Sequence, residues 1–258
     1  MLEGGVSSLQ ECLSKSNIKL VKDDNFNDIL GNITEDKVLE QIDTMYLFHK
    51  SLLNCNESAS KLIPNKIGKT VEKYKMRIKN LKRDLKTFKA RNSLNQFENM
   101  VIQSSDSYLN RAEKCIDIIN HCNYIGLVKR SMRRFEICLG NTYFDNLRKS
   151  NEIEIKNLKK CAYNMLEMDG VYLINRLKRN GSHIDLEKII NYFCKVEGFD
   201  NNSNNFIKAL VSYPHVYMKC CERYRLSKKQ WDINEYVMSL NRAVEQDGDS
   251  ILSNDYLL

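Results

Sequence analysis

Apolar residues recur along this chain at spacings of three and four, the repeat of one helical face. Over residues 36–53, Val38, Ile42, Met45 and Phe48 are separated by four, three and three. This predicts a helix, with Thr34 placed to cap its start and Glu35 and Asp36 in its first turn. The most regular segment is 66–91. There Val71, Tyr74, Ile78, Leu81, Leu85 and Phe88 alternate steps of three and four, an a/d stripe that predicts an amphipathic helix. Further helices are expected over 104–121, 122–134, 165–179, 184–196, 203–225 and 231–246. Two short β segments, 135–139 and 152–157, interrupt the helical pattern and flank the stretch ICLGNTYFDNL at 137–147.

This pattern divides the chain into an irregular segment over 1–35, a helical body over 36–246 and a frayed tail over 247–258. The N-terminal 35 residues carry little periodicity, and Gly4-Gly5 is too short to cradle a phosphate. With two prolines and ten glycines in 258 residues, helix breakers are scarce. The expected class is mainly α with a small β element.

Composition narrows the function classes. No run of apolar residues is long enough to cross a membrane, and residues 1–16 do not follow the signal-peptide pattern, so synthesis in the cytoplasm is the expectation. Nine scattered cysteines without a C-x-x-C pair argue against a zinc cage or a disulfide framework. His49, His121, His183 and His215 share no ligand spacing. The expectation is therefore no metal and no cofactor.

Charge concentrates on the helix of 66–91, which holds eleven Lys and Arg against Glu72 and Asp84. Lys73, Lys75, Arg77, Lys79, Lys82, Arg83, Lys86 and Lys89 lie off the apolar stripe and form a candidate surface for an anionic partner. Nucleic acid is the weaker choice of partner. The helix's two aromatics, Tyr74 and Phe88, belong to the apolar stripe and leave its polar faces without rings for bases to stack on.

The frame Leu139-Gly140-Asn141, followed by four residues and Asn146, then Asn157 and Asp169, resembles the C-terminal lobe of aminoglycoside phosphotransferase and choline kinase-type proteins. Their loop reads His-Gly-Asp, four residues, Asn. A metal-holding Asp follows at a strand end, and a structural Asp opens a helix. Gly140, Asn146 and Asp169 fit that frame; Leu139, Asn141 and Asn157 stand where His and the two acids are expected. The resemblance narrows to spore-coat kinase-like proteins of the CotS type, through Phe48-His49-Lys50, Ser212-Tyr213-Pro214, Tyr217, Tyr224, Lys228-Lys229 and Trp231. It covers about residues 36–245, and it implies a kinase-type C-lobe most of whose N-lobe is missing.

The substitutions bear on chemistry. Phosphoryl transfer rests on positioning and on electrostatic stabilisation of the transferred group. A neutral amide at 141 cannot accept a proton, and one at 157 offers Mg²⁺ only an uncharged oxygen. The expectation is a pseudokinase with no catalytic residues, synthesised in the mother cell and working in the spore coat by contact with other coat or assembly proteins. The surface around 66–91 and 213–231, including Trp231, is its candidate contact region. Two alternatives remain open at the level of sequence: a phosphotransferase using atypical residues such as Asp145, and a basic nucleic-acid binder.

Overall fold

The computed structural model describes residues 13–14, 18–21, 26, 33–52, 63–181, 184–227 and 229–252. Gly4-Gly5, Cys12, Cys55, His183, Lys228 and the tail beyond 252 lie outside the described residues. The chain divides into two compact units. The first comprises Met1–Ile67 and Cys122–Lys208, the second Gly68–His121 and Ala209–Leu258.

In the first unit, α1 (Glu35–Leu52) starts where Thr34 Oγ1 accepts from the Lys37 N–H at 3.4 Å. Its face of Val38, Ile42, Met45 and Phe48 is buried, as the spacing predicts. Among the described residues five short strands occur in chain order: β1 (Ile18–Leu20), β2 (Ile137–Cys138), β3 (Leu147–Lys149), β4 (Ile153–Ile155) and β5 (Ala162–Tyr163). β4 is central in one sheet, parallel to β1 and antiparallel to β3; β2 pairs antiparallel with β5. The two β segments expected from sequence thus belong to different sheets. The N-terminal segment, expected to be irregular, contributes β1: Ile18 pairs with Ile153 and Leu20 with Ile155.

Helices α4 (Tyr124–Arg134), α5 (Glu167–Arg179) and α6 (Leu186–Glu197) complete this unit, with α7 (Asn201–Ser212) running across its boundary. α5 and α6 pack closely at Gly170, where a Cβ would lie 2.6 Å from the Phe193 ring. α4 is tied down by Arg130, which forks between Glu136 and Glu167 at 2.7–3.2 Å and donates to Ser203 Oγ at 3.3 Å.

The second unit is built from α2 (Lys69–Lys89), α3 (Gln96–His121), α8 (His215–Arg225) and α9 (Ile233–Asp247). All six residues of the α2 stripe are buried. α3 begins eight residues before the expected 104. Asn95 and Glu98 cap it reciprocally, each side-chain oxygen accepting the other's backbone N–H, at 3.0 and 3.2 Å. The single helix expected over 203–225 is two helices. Pro214 has no N–H to give and disfavours helical backbone at Tyr213, so α7 stops at Ser212 and α8 starts at His215. Asp247 at the end of α9 caps the new start, accepting from the Val216 and Tyr217 N–H groups at 2.9 and 2.7 Å. α9 opens with its own capping box, Asp232 with Glu235.

Candidate functional site

The loop between β2 and β3 carries Leu139, Gly140, Asn141 and Asn146. Its anchor is Asp169 in the first turn of α5, which is fully buried. The Leu139 and Gly140 N–H groups donate to the two Asp169 carboxylate oxygens, both at 2.7 Å. The Thr142 hydroxyl donates to the Asp169 carbonyl at 3.1 Å. Gly140 has φ +71, and a Cβ there would stand 2.4 Å from the Lys160 carbonyl oxygen, so the position requires glycine.

From α1, His49 reaches the same anchor. Its Nε2 lies 3.0 Å from Asp169 Oδ2 and its Nδ1 2.7 Å from Glu197 Oε1. Burial pulls the imidazole pKa down, but Glu197 and Asp169 outweigh it and lift it to about 10. The ring is therefore an imidazolium held between two carboxylates. Gln41, about two helical turns earlier, donates through Nε2 to the Thr142 and Leu147 carbonyls at 2.7 and 2.9 Å. One face of α1 thus holds the loop through two buried polar side chains.

The amides at the expected chemical positions have local work. Asn146 donates to the Asn141 carbonyl at 2.9 Å, while its Oδ1 accepts the Asn157 N–H at 3.0 Å. Asn157 Oδ1 accepts the Lys159 N–H at 3.2 Å, an Asx turn that engages the oxygen a metal would need. Leu139 is wholly buried and packs as an apolar core residue. Asn141 Oδ1 is buried without a hydrogen-bond partner. Asp145 faces Arg176 of α5, Oδ2 to Nη2 at 3.5 Å.

This donor set does not fit Mg²⁺. The two positions nearest the expected metal offer neutral amide oxygens, and the nearby acid, Asp145, is paired with a guanidinium. Among the described residues no three His, Cys, Asp or Glu side chains converge as metal ligands. All seven cysteines among the described residues are buried. Burial pushes the Cys122 thiol up to about 11 and those of Cys161 and Cys194 to about 12, so they are poor nucleophiles.

The basic face of α2 is exposed at Lys73, Lys75, Lys79, Lys82, Arg83, Lys86 and Lys89. Lys82 pairs with Glu113, and Lys75 donates to Asn120 Oδ1. Arg77 is a correction: its side chain is 2% exposed and donates to Glu222 Oε2 at 2.7 Å. Tyr213 and Tyr217, included in the contact region, are also core residues. Tyr213 stacks on Tyr74 and Tyr217 on Tyr108. Trp231 is half-buried against Tyr236. It lines a cavity of about 450 Å³ with Phe88, Arg91, Glu98, Tyr224 and Arg225.

Solved structures identify the architecture. An aminoglycoside phosphotransferase from Alicyclobacillus acidocaldarius aligns over 95% of this chain and 80% of its own, with TM-score 0.69 and 11% identity. The chain has an aminoglycoside phosphotransferase-like kinase fold. No family model matches its sequence, and no curated protein sequence matches it either. At 11% identity the likeness speaks to the fold alone. Within this kinase-like fold, the spacing of Gly140, Asn146, Asn157 and Asp169 was legible in the sequence. Gln41, Glu197 and Arg176 were not, since nothing in their own surroundings marks them as partners of the loop. Among the described residues no helix is long and apolar enough to cross a membrane.

Proposed function

We propose that this chain is a non-catalytic member of the kinase-like fold that acts through protein–protein contact in the endospore coat. The observation that carries the reading is the condition of the loop. Leu139, Asn141 and Asn157 replace the polar and acidic groups that phosphoryl transfer would use, while Asn146, Asp169, His49 and Gln41 keep the loop fully organised. The scaffold is retained and the charges are not. Without carboxylates at 141 and 157 there is neither a base for the acceptor hydroxyl nor a charged oxygen pair to compensate the dehydration of Mg²⁺.

The coat assignment rests on the CotS-type motifs, Phe48-His49-Lys50, Ser212-Tyr213-Pro214 and Trp231 among them. Phosphotransferase activity belongs, by name, to the similar Alicyclobacillus protein. For this chain, Asp145 is a poor substitute base because Arg176 holds it.

Calorimetric and thermal-shift titration of the purified chain with Mg-ATP tests the loss of catalysis. No saturable binding is expected, and micromolar binding overturns the reading. For the coat role, a tagged copy in a sporulating host is expected in the coat fraction. Its confinement to vegetative cytoplasm counts against that assignment.

A further inference from the structure

Helix α4 carries large apolar side chains on its solvent side in addition to the one it buries in its unit. Its inner face is already occupied: Leu127 and Ser131 are buried, Tyr124 stacks on Phe206, and Arg130 makes the ion pairs to Glu136 and Glu167. Its outer face carries Ile125, Val128, Met132 and Phe135 at steps of three, four and three, the a/d repeat of a helix that packs against another. Ile125 is 60% exposed, Met132 52% and Phe135 37%. Three of the eight large hydrophobic side chains exposed among the described residues therefore sit on this one short helix and its C-cap, and scattered single exposures do not explain it.

Phe135 adds an independent sign. It closes α4 at φ 51, a left-handed backbone that costs a bulky side chain about 1 kcal/mol and that glycine would adopt freely. The ring stacks beside Tyr163 at a centroid distance of 6.4 Å, and the Tyr163 hydroxyl donates to the Met132 carbonyl at 3.0 Å. An aromatic plate is thus held at the end of the stripe in a conformation its own backbone does not favour.

The rim fixes the partner's chemistry. From His121 through Phe135 the sequence contains no acid, and Lys129, Arg133 and Arg134 are exposed along the stripe. A second copy of this chain on a two-fold axis would set these cations against one another. A helix with apolar a/d positions flanked by Glu or Asp would meet both the stripe and the rim. We propose that the outer face of α4 docks an acidic amphipathic helix of a different protein, with Ile125, Val128, Met132 and Phe135 as its seat and Lys129, Arg133 and Arg134 as its charge match.

The probe is a fluorescent synthetic peptide of several heptads with Leu at a and d and Glu at e and g. Its like charges keep it from pairing with itself. A control peptide carries Lys at e and g. Fluorescence anisotropy with the full chain is expected to show saturable binding of the Glu peptide and none of the Lys peptide. The Ile125→Ser/Met132→Ser variant should weaken binding about tenfold or more, the size of change that loss of central anchors brings. The Lys129→Glu/Arg133→Glu variant should reverse the preference between the two peptides, an outcome that altered stability cannot produce.

Binding of both peptides equally, of neither, or unchanged binding by the serine variant overturns the proposal. So does a dimer, seen by sedimentation without peptide, that the serine variant dissociates, since the face would then belong to a second copy. The exposed positions should tolerate substitution, and a thermal midpoint for each variant checks this. Nucleotide is absent from the assay, so failure here and failure of the non-catalytic reading are separate results.

Discussion

His49 stands between Asp169 and Glu197, its two ring nitrogens 3.0 and 2.7 Å from their carboxylate oxygens, with all three side chains buried. This buried triad links α1 to the loop anchor and to the end of α6. Removing the central cation leaves two acids without compensation, a loss that costs about 3 to 5 kcal/mol for a fully buried pair. His49→Gln should destabilise the chain by that order in chemical denaturation. The pH dependence has a definite sign. The folded pKa, about 10, lies above the ordinary 6.5, so the contribution is whole below the unfolded pKa and drains as pH rises through the folded one. The stability difference between the parent and His49→Gln should narrow from pH 6.5 to pH 10. A constant difference across that window would mean the ring carries no charge.

Arg77 and its neighbours on α2 offer a contrast within one helix. Arg77 is buried and paired with Glu222, while Lys79 and Arg83 are exposed. Glu222 retains 19% exposure, so water softens the loss of its partner. Arg77→Met should still cost about 2 kcal/mol. Lys79→Met and Arg83→Met should stay within about 0.5 kcal/mol of the parent. Urea midpoints of the three variants separate the cases. Equal effects would return Arg77 to the surface.

Asn146 supports the loop with both ends of its amide, donating to the Asn141 carbonyl and accepting from the Asn157 N–H. Asn146→Ala strands both partners in a buried setting, at about 1 to 3 kcal/mol for each group left unsatisfied. Asn146→Asp keeps the acceptor and loses the donor, so its stability should fall between those of the parent and the alanine variant. The order of the three denaturation midpoints is the measurement. A tolerated alanine would mean the loop is held by Asp169 and Gln41 alone.

These residues also mark what the sequence made legible. The α2 stripe was readable because burial on one face leaves a period, and all six of its residues are in the core. Asn146, Asn157 and Asp169 were readable as a spacing. Arg77 was misassigned because polarity suggested surface, whereas it lies at the stripe's edge within reach of Glu222, whose approach no local pattern records. The sheet pairings were hidden for a similar reason: Ile18 meets Ile153 across most of the chain. Two helix boundaries do carry local signals. Asn95 and Glu98 spell a capping pair, and Pro214 cannot continue a helix without losing a hydrogen bond.

The electrostatic reading of the loop can be tested by restoring its charges one at a time. Asn157 Oδ1 accepts the Lys159 N–H and its own N–H goes to Asn146. A carboxylate at this position keeps both bonds, so Asn157→Asp should fold normally. Asn141 Oδ1 is buried without a partner, so Asn141→Asp sets an uncompensated carboxylate there and should lower the thermal midpoint until a cation compensates it. Alone, Asn141→Asp supplies a base without a metal site and should show neither a Mg²⁺ response nor ATP turnover. Together the two substitutions put a carboxylate at each of the two positions that Asn146 ties together, and hard anionic oxygens are what Mg²⁺ requires. The double variant should therefore gain a Mg²⁺-dependent rise in thermal midpoint that the parent lacks. Turnover by the single variant would show that the missing metal ligand is supplied elsewhere. A Mg²⁺ response in the parent equal to that of the double variant would show that the amides already suffice, and the non-catalytic reading would fall with it.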